Sequence, residues 1–283
     1  MLRQEVSLTV AFTDARDAMA VTHDACLSRR TVWYRVVPLH EHPVAHSLCF
    51  GTLDEVQNAI CGLLAGLFRP ADRPPRLMDI GCWDGVSTAR YGKSLGGATL
   101  AGIEIFDAPA REAESKGVEV ARLDLESDRF PWQSGSFDVV VANQVFEHLK
   151  NIWLPISEAY RVLRPGGYLV ISVPNLASLH NRILLAMGQQ PTSVRTLGPH
   201  VRGYTLGELV SLLELDGGFS VERRVGVGFY PLPARLAKPF ARLWSGGSHT
   251  PVVLARKTKD LAVPPWEAYR RMEAAAGEQT FYG

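Results

Sequence analysis

Hydrophobic and polar positions alternate in blocks through the middle of the chain. Strand-length apolar runs occupy 76–80, 99–104, 118–123, 137–142 and 168–173, and stretches of helical or loop patterning separate them, notably at 86–95, 108–116 and 152–163. Val139-Val140-Val141 and Leu169-Val170-Ile171 are unbroken apolar triplets, as expected of strands buried on both faces. This rhythm predicts βαβ units and a parallel sheet covered by helices on both sides. Arg164-Pro165-Gly166-Gly167 reads as a helix stop that turns sharply into the next strand.

The flanks are less regular. At the amino-terminal end, 7–13 and 31–39 alternate like short strands, with Pro38 and Pro43 ending the second. Thr52-Leu53-Asp54-Glu55 has the form of a capping box, opening a helix that carries Val56, Ile60, Leu63 and Leu64. After Pro174 a helix pattern (Leu179, Ile183, Leu184, Met187) gives way to a polar loop, then a helix at 206–215 and a strand at 219–225. Residues 226–248 read as an irregular excursion before a last strand at 251–257. The tail holds Pro264-Pro265-Trp266 and a short helix pattern at 267–275; it is a candidate for packing back or for pairing two copies into a homodimer. The expected architecture is a doubly wound, mostly parallel, seven-stranded α/β sheet. An extension at 1–50 precedes a domain at 51–257, a cap segment at 175–205 follows the fifth strand, and a tail occupies 258–283.

Composition narrows the function. The chain has 283 residues, 46% of them hydrophobic, enough for a substantial core without covalent staples. A net charge of +1 gives no electrostatic footprint for nucleic acid. Cys26, Cys49, Cys61 and Cys82 show no CxxC pair or zinc-type spacing and read as reduced thiols. The run at 6–12 is too short and too polar at its ends for a signal peptide, and no stretch suits a bilayer span. The expectation is a cytoplasmic protein without a membrane partner.

The densest chemistry follows the first core strand, in Asp79-Ile80-Gly81-Cys82-Trp83-Asp84-Gly85. In an open α/β sheet this turn sits at the carboxyl edge, where cofactors bind. Counted from Gly81, the dinucleotide fingerprint would need glycine at Trp83 and Val86, and the phosphate loop would need a Gly-Lys-Ser/Thr ending; neither is present. Asp79 would repel a diphosphate and attract an ammonium group. Glu104 ends the second strand about 20 residues on, the separation of an acid that accepts from ribose hydroxyls. Asp124 ends the third strand, where a carboxylate can accept from an exocyclic adenine amine, and Asn143 ends the fourth. Each taken alone reads better as a solvated strand-end, capping or turn residue; together they mark one edge of the sheet.

These residues resemble the class I S-adenosylmethionine-dependent methyltransferases. The turn at 79–85 is similar to their first motif, with Glu104 as the acid after strand two. Phe137-Asp138-Val139-Val140-Val141-Ala142-Asn143 followed by Val145-Phe146-Glu147-His148-Leu149 resembles their fourth-strand motif, and Leu163-Arg164-Pro165-Gly166-Gly167 the turn before strand five. Trp83 departs from the pattern, since many relatives have a small residue there. The resemblance implies S-adenosylmethionine as cofactor. Asp79 would then hold the methionine ammonium, directly or through water, and Gly81, Cys82, Trp83 and Gly85 would form the turn that approaches it. Glu104 would bind ribose, Ile105 would lie against adenine, Asp124 and Leu125 would frame the adenine edge, and Asn143 would line the cavity near the sulfonium.

Methyl transfer benefits from near-attack positioning and, for a hydroxyl acceptor, a general base. His148 and His200 are the candidate catalytic residues, and Arg202 and Tyr204 the candidate substrate contacts; loop packing and helix capping are their structural alternatives. His40-Glu41-His42-Pro43-Val44-Ala45-His46 puts His40 and His42 on one strand face, where imidazoles suit a transition metal. Pro43 interrupts the geometry and no second ligand set is evident, so no metal is assigned. The expected function is methylation of a small molecule in biosynthesis. Two other readings stand beside it: S-adenosylmethionine binding with non-methylating chemistry, and a non-enzymatic partner-binding module on the same fold.

Overall fold

The computed structural model describes residues 19–22, 35–38, 43–68, 73–230, 232 and 234–276. The expected strand at 7–13, residues His40 and His42, and the side chain of His46 lie outside the described residues. The chain divides into two compact units, Met1–Asp54 and Glu55–Gly283. In the first, β1 (Met19–Thr22) pairs antiparallel with β2 (Arg35–Pro38).

Helix α1 runs over Pro43–Leu64, which corrects the expected capping box at Thr52: that residue lies inside the helix. Proline is well tolerated in a helix's first turn, where its missing N–H has no partner to lose. The one weak point before Thr52, Gly51, costs only about 1 kcal/mol.

The second unit is built on a seven-stranded sheet in the order β5-β4-β3-β6-β7-β9-β8. Its strands are β3 (Arg76–Ile80), β4 (Thr99–Ile103), β5 (Val118–Ala121), β6 (Phe137–Asn143), β7 (Leu163–Ser172), β8 (Phe219–Val227) and β9 (Thr250–Lys257). β3 to β7 pair in parallel and β9 runs antiparallel to both β7 and β8. Strand order reverses between β3 and β6, the switch point at which open α/β sheets bind ligands. Helices α2 (Val86–Ser94), α3 (Asp107–Ser115) and α4 (Trp153–Val162) link the parallel strands. The remaining helices are α5 (Leu179–Ala186), α6 (Leu206–Leu213), α7 (Ala234–Leu243) and α8 (Glu267–Ala276).

Side-chain alternation divides the core. Leu77, Val139, Val141 and Val170 pack on one face with Ile60, Leu63 and Tyr91; Met78, Ile80, Val140, Ala142 and Ile171 pack on the other with Ile156, Tyr160 and Trp266. Burial on both faces explains the unbroken apolar triplets, each such side chain contributing roughly 1.5–3 kcal/mol. The tail packs back: Trp266 is fully buried and donates its indole N–H to the Leu212 carbonyl at 2.7 Å.

Two other expectations are corrected. The stretch 226–248 is not irregular throughout, because α7 forms within it despite Pro239. Residues 164–167 do not precede the fifth strand but bulge inside it: Leu163 pairs with Phe137, and pairing resumes at Tyr168 with Val139. The bulge brings the Arg164 guanidinium onto the Asp138 carboxylate at 2.5 Å. Arg73 and the Arg76 N–H also donate to Asp138. Burial raises the Asp138 pKa, but these donors outweigh it and leave the carboxyl below its ordinary range.

Candidate active site

Beyond the carboxyl ends of β3, β4 and β5 lies a cavity of about 140 Å³, lined by Gly81, Ile103, Glu104, Ile105, Leu123, Asp124, Leu125 and Leu149. Pockets that enclose whole drug-sized ligands span roughly 300–1,000 Å³. This one has room for only part of such a ligand, such as a planar base.

Glu104 is the best-placed acid. It is buried, and each carboxylate oxygen accepts one main-chain N–H: Oε1 from Phe106 at 2.9 Å and Oε2 from Trp83 at 3.1 Å. Two donors lock the orientation of the group, and each oxygen retains a lone pair for a diol. Trp83 reaches it by adopting a left-handed backbone with φ of 47°. That conformation costs about 1–2 kcal/mol for a non-glycine residue, which a hydrogen bond to a charged acceptor, about 1.5–3 kcal/mol, offsets. The Trp83 indole is 41% exposed and stands edge-on to Phe106, their centroids 6.2 Å apart. Ile105, also exposed, lines the cavity itself.

The glycines play different parts. Gly81 has φ of +73°, and a Cβ on it would come within 2.9 Å of a Val145 methyl, so only glycine keeps the cavity floor at this height. Gly85 (φ +76°) faces α3 instead, where a Cβ would sit 2.9 Å from the Ala113 backbone. Cys82 points into the core against Ala113 and Val118, and burial, with Asp79 and Glu104 nearby, pushes its thiol up to about 12.

Asp79 shares the sheet face of Leu77, not that of the cavity. Its carboxylate is 3% exposed and accepts from the Thr88 hydroxyl of α2 at 2.6 Å. Burial raises its pKa to about 7, against the lowering effect of that hydrogen bond. Asp124 lines the cavity, and its Oδ1 accepts from the Glu126 N–H at 2.9 Å. Asn143 is engaged at both ends of its amide: it donates to the Tyr91 hydroxyl at 3.2 Å and accepts from Ser172 at 2.6 Å. The structure thus gathers Gly81, Glu104, Ile105, Asp124 and Leu125 around one cavity. Asp79, Cys82, Gly85 and Asn143 form the scaffold beneath and beside it.

The candidate acceptor-side residues form a second group. A 3₁₀ turn, Phe146–His148, follows β6. The end of the cap segment docks on it, with the N–H groups of Val201 and Arg202 both donating to the Glu147 carbonyl. The Arg202 side chain holds the carbonyls of Leu149 and Lys150, and the Tyr204 hydroxyl donates to the Phe146 carbonyl at 3.3 Å. Both polar groups are spent on bracing this turn. The braces set the His148 and His200 rings edge to face with centroids 4.8 Å apart. Nδ1 of His148 faces the Pro199 carbonyl at 3.4 Å, and Nδ1 of His200 faces the Ser193 carbonyl at 2.9 Å. A carbonyl can only accept, so each Nδ1 carries the proton and each Nε2 presents a lone pair. Burial, and the neighbouring His200, lower the His148 pKa, which keeps that ring neutral.

Sequence reasoning passed over Glu147 although it adjoins His148. Its side chain is 1% exposed, neither carboxylate oxygen accepts a hydrogen bond from a described residue, and burial pushes its pKa up to about 8. His180 and His249 were also missed. They stack at 5.5 Å, His180 on α5 and His249 just before β9, and burial, with His180 and His200 nearby, takes His249 down to about 4.

The features at the carboxyl edge suit an adenosine-containing cofactor: an apolar slot, an oriented carboxylate for a diol, and a floor on which a Cβ would collide. Comparisons with known proteins agree. Residues 78–171 match the family model described as a methyltransferase domain. A Mycolicibacterium smegmatis protein named "Probable S-adenosylmethionine-dependent methyltransferase" is 38% identical over 147 residues, 52% of this chain and 50% of that protein. The mitochondrial ubiquinone biosynthesis O-methyltransferase of Rattus norvegicus is 28% identical over 55% of this chain and 47% of its own length. The 27-O-demethylrifamycin SV methyltransferase of Amycolatopsis mediterranei is 31% identical over 45% of this chain and 50% of its own. The chain thus spans about half the length of the curated relatives it matches. Among solved structures, a SAM-dependent methyltransferase of Thermotoga maritima shares the fold at a TM-score of 0.52 and 19% identity, over 78% of this chain and 98% of that one. The [4+2]-cyclase SpnF shares it at 0.52 and 19%, over 73% and 82%. Residues 78–171 thus form a methyltransferase domain, and the motifs of its first strands and the strand order of its sheet make the chain similar to the class I S-adenosylmethionine-dependent methyltransferases.

Proposed function

We propose that this chain transfers the methyl group of S-adenosylmethionine to a hydroxyl oxygen of a small biosynthetic molecule. The observation that carries this reading is the adjacency of two sites on one short segment. Leu149 lines the cavity that Glu104 serves, while His148, one residue earlier, faces His200 with both Nε2 lone pairs available. One relative is named an O-methyltransferase and another a methyltransferase of 27-O-demethylrifamycin SV, and both names support oxygen as the acceptor atom. A net charge of +1 favours a small acceptor over nucleic acid. Among the described residues no helix is long and apolar enough to cross a membrane.

S-adenosylmethionine, when bound, supplies an electrophilic methyl group on a sulfonium. Glu104 would accept from the ribose hydroxyls, Ile105 and Leu125 would lie against the adenine, and Asp124 would accept from its amine. Gly81 leaves room for the chain of atoms that crosses the floor. Asp79, closed off behind Thr88, acts on the methionine ammonium through its field and not through direct contact. His148 and His200 supply the electron pairs that activate the acceptor hydroxyl, and Arg202 and Tyr204 hold that turn in place.

Incubation with methyl-labelled cofactor and a panel of hydroxylated small molecules tests the reading. Label in an acceptor together with S-adenosylhomocysteine is expected. Tight cofactor binding without transfer across the panel would favour non-methylating chemistry. Absence of cofactor binding would leave a non-enzymatic module.

A further inference from the structure

We infer that Glu147, His148 and His200 form a binding site for one divalent transition-metal cation on the acceptor side of the fold. One carboxylate oxygen and one ring nitrogen from each histidine all lie within 4.8 Å of one another. Ligands about 2.1 Å from a shared tetrahedral cation stand about 3.4 Å apart, so closing the site needs the widest pair to approach by about 1.4 Å. His148 is 40% exposed at its side chain, which leaves its ring free to make that adjustment.

Three independent features point to a cation and not to a chance cluster. The first is the unpartnered carboxylate. Glu147 is 1% exposed and its oxygens accept no hydrogen bond from a described residue. A buried polar group left in that state costs about 1–3 kcal/mol or more, and native structures retain such groups for a reason. The second is the orientation of the imidazoles. Each Nδ1 is directed at a backbone carbonyl, Pro199 for His148 and Ser193 for His200. Metal-binding histidines are held in this way, with the second nitrogen hydrogen-bonded outward and the first aimed at the ion. The third is the mismatch left when the cluster is bare. Nε2 of His148 lies 4.0 Å from Oε1 of Glu147, too far for a hydrogen bond, and both atoms present lone pairs. A positive centre between them turns three facing acceptors into three ligands.

The donor set specifies the ion. Two imidazoles and a carboxylate favour zinc, cobalt, iron or manganese over magnesium or calcium, which prefer oxygen alone. Three protein ligands leave coordination positions open, as in catalytic sites. The use of those positions rests on the proposed methyltransferase reading: an acceptor hydroxyl bound there would release its proton to solvent at a lower pH than the free alcohol or phenol. Cation binding itself does not depend on that reading. The site is also distinct from the His40, His42 and His46 group considered in the sequence.

The test uses the full chain, stripped with a chelator and dialysed. Cobalt(II) is titrated in while visible absorbance is followed, and zinc(II) binding is measured by calorimetry. The expected result is saturation near one cation per chain with ligand-field bands, and a loss of affinity of more than tenfold in Glu147→Gln, His148→Ala and His200→Ala. Glu147→Gln keeps size and shape and His148→Ala alters a half-exposed ring, so at least one of these variants retains the fold, as circular dichroism would verify. No saturable binding by the wild type would overturn the proposal. So would undiminished binding in folded Glu147→Gln and His148→Ala proteins, because their remaining histidines would then be the ligands. Metal binding with no affinity for S-adenosylhomocysteine would uphold the cation site while refuting the methyltransferase reading.

Discussion

Asp79→Asn offers a direct reading of how burial tunes the first motif. Asp79 sits 3% exposed beneath α2 with one neutral donor, Thr88, and burial raises its pKa from 3.8 to about 7. Because the folded value lies above the unfolded one, the native state holds the extra proton between about pH 4 and pH 7. Stability is therefore greatest at the acid end of that window and falls as pH rises through it. A shift of roughly 3 units corresponds to a loss on the order of 4 kcal/mol across the window. Asparagine is neutral throughout and still offers an oxygen to Thr88, so the variant lacks this fall. Glu147, also buried, contributes a slope in the same direction to both proteins, and it cancels in the comparison. Urea unfolding of both proteins at pH 5 and pH 8 measures the effect. The stability of Asp79→Asn relative to wild type should improve by about 2–3 kcal/mol between the two pH values. Parallel pH dependence in the two proteins would refute the reasoning.

Three further outcomes are expected. Gly85→Ala forces a side chain into a left-handed backbone against α3 and should cost about 2 kcal/mol or more; an unchanged urea midpoint would contradict this. Trp266→Ala removes a fully buried indole from its packing on Tyr160 and Phe219, for a loss of about 3–5 kcal/mol in chemical unfolding. A loss below 1 kcal/mol would mean that the tail packs only loosely. His200→Ala should lower turnover at least tenfold while calorimetry finds cofactor affinity nearly unchanged, and equal turnover would remove His200 from the acceptor side.

The parallel half of the sheet was legible because its strands are buried on both faces and its connections carry strong turn residues. The start of α1 was not, because a capping box read at Thr52 competed with a proline that can open a helix nine residues earlier. Helix α7 was obscured by Pro239, which reads locally as a breaker but is accommodated within the helix. At the site, Glu104 and Asp124 were found because they end consecutive strands on the edge where open α/β sheets bind ligands. The direction of Asp79 could have been read from the same alternation that buries Leu77, since both lie on one face of β3. Cys82 looked like part of a ligand turn, yet the glycine at 102 opens a core niche for it: a Cβ there would lie 2.5 Å from its sulfur. Glu147 gave no signal of its own. Its importance arises from what fails to reach it, and only the folded arrangement of the turn and the cap segment makes that visible.

The central claim is that the carboxyl edge of the sheet binds an adenosine-containing cofactor through Glu104. Calorimetric titration of the wild type and of a folded Glu104→Ala variant with S-adenosylhomocysteine tests it. Loss of hydrogen bonds to a charged acceptor should weaken binding by about 1.5–3 kcal/mol, or roughly 10- to 150-fold. Equal affinity in the two proteins, or no binding by either, would contradict it.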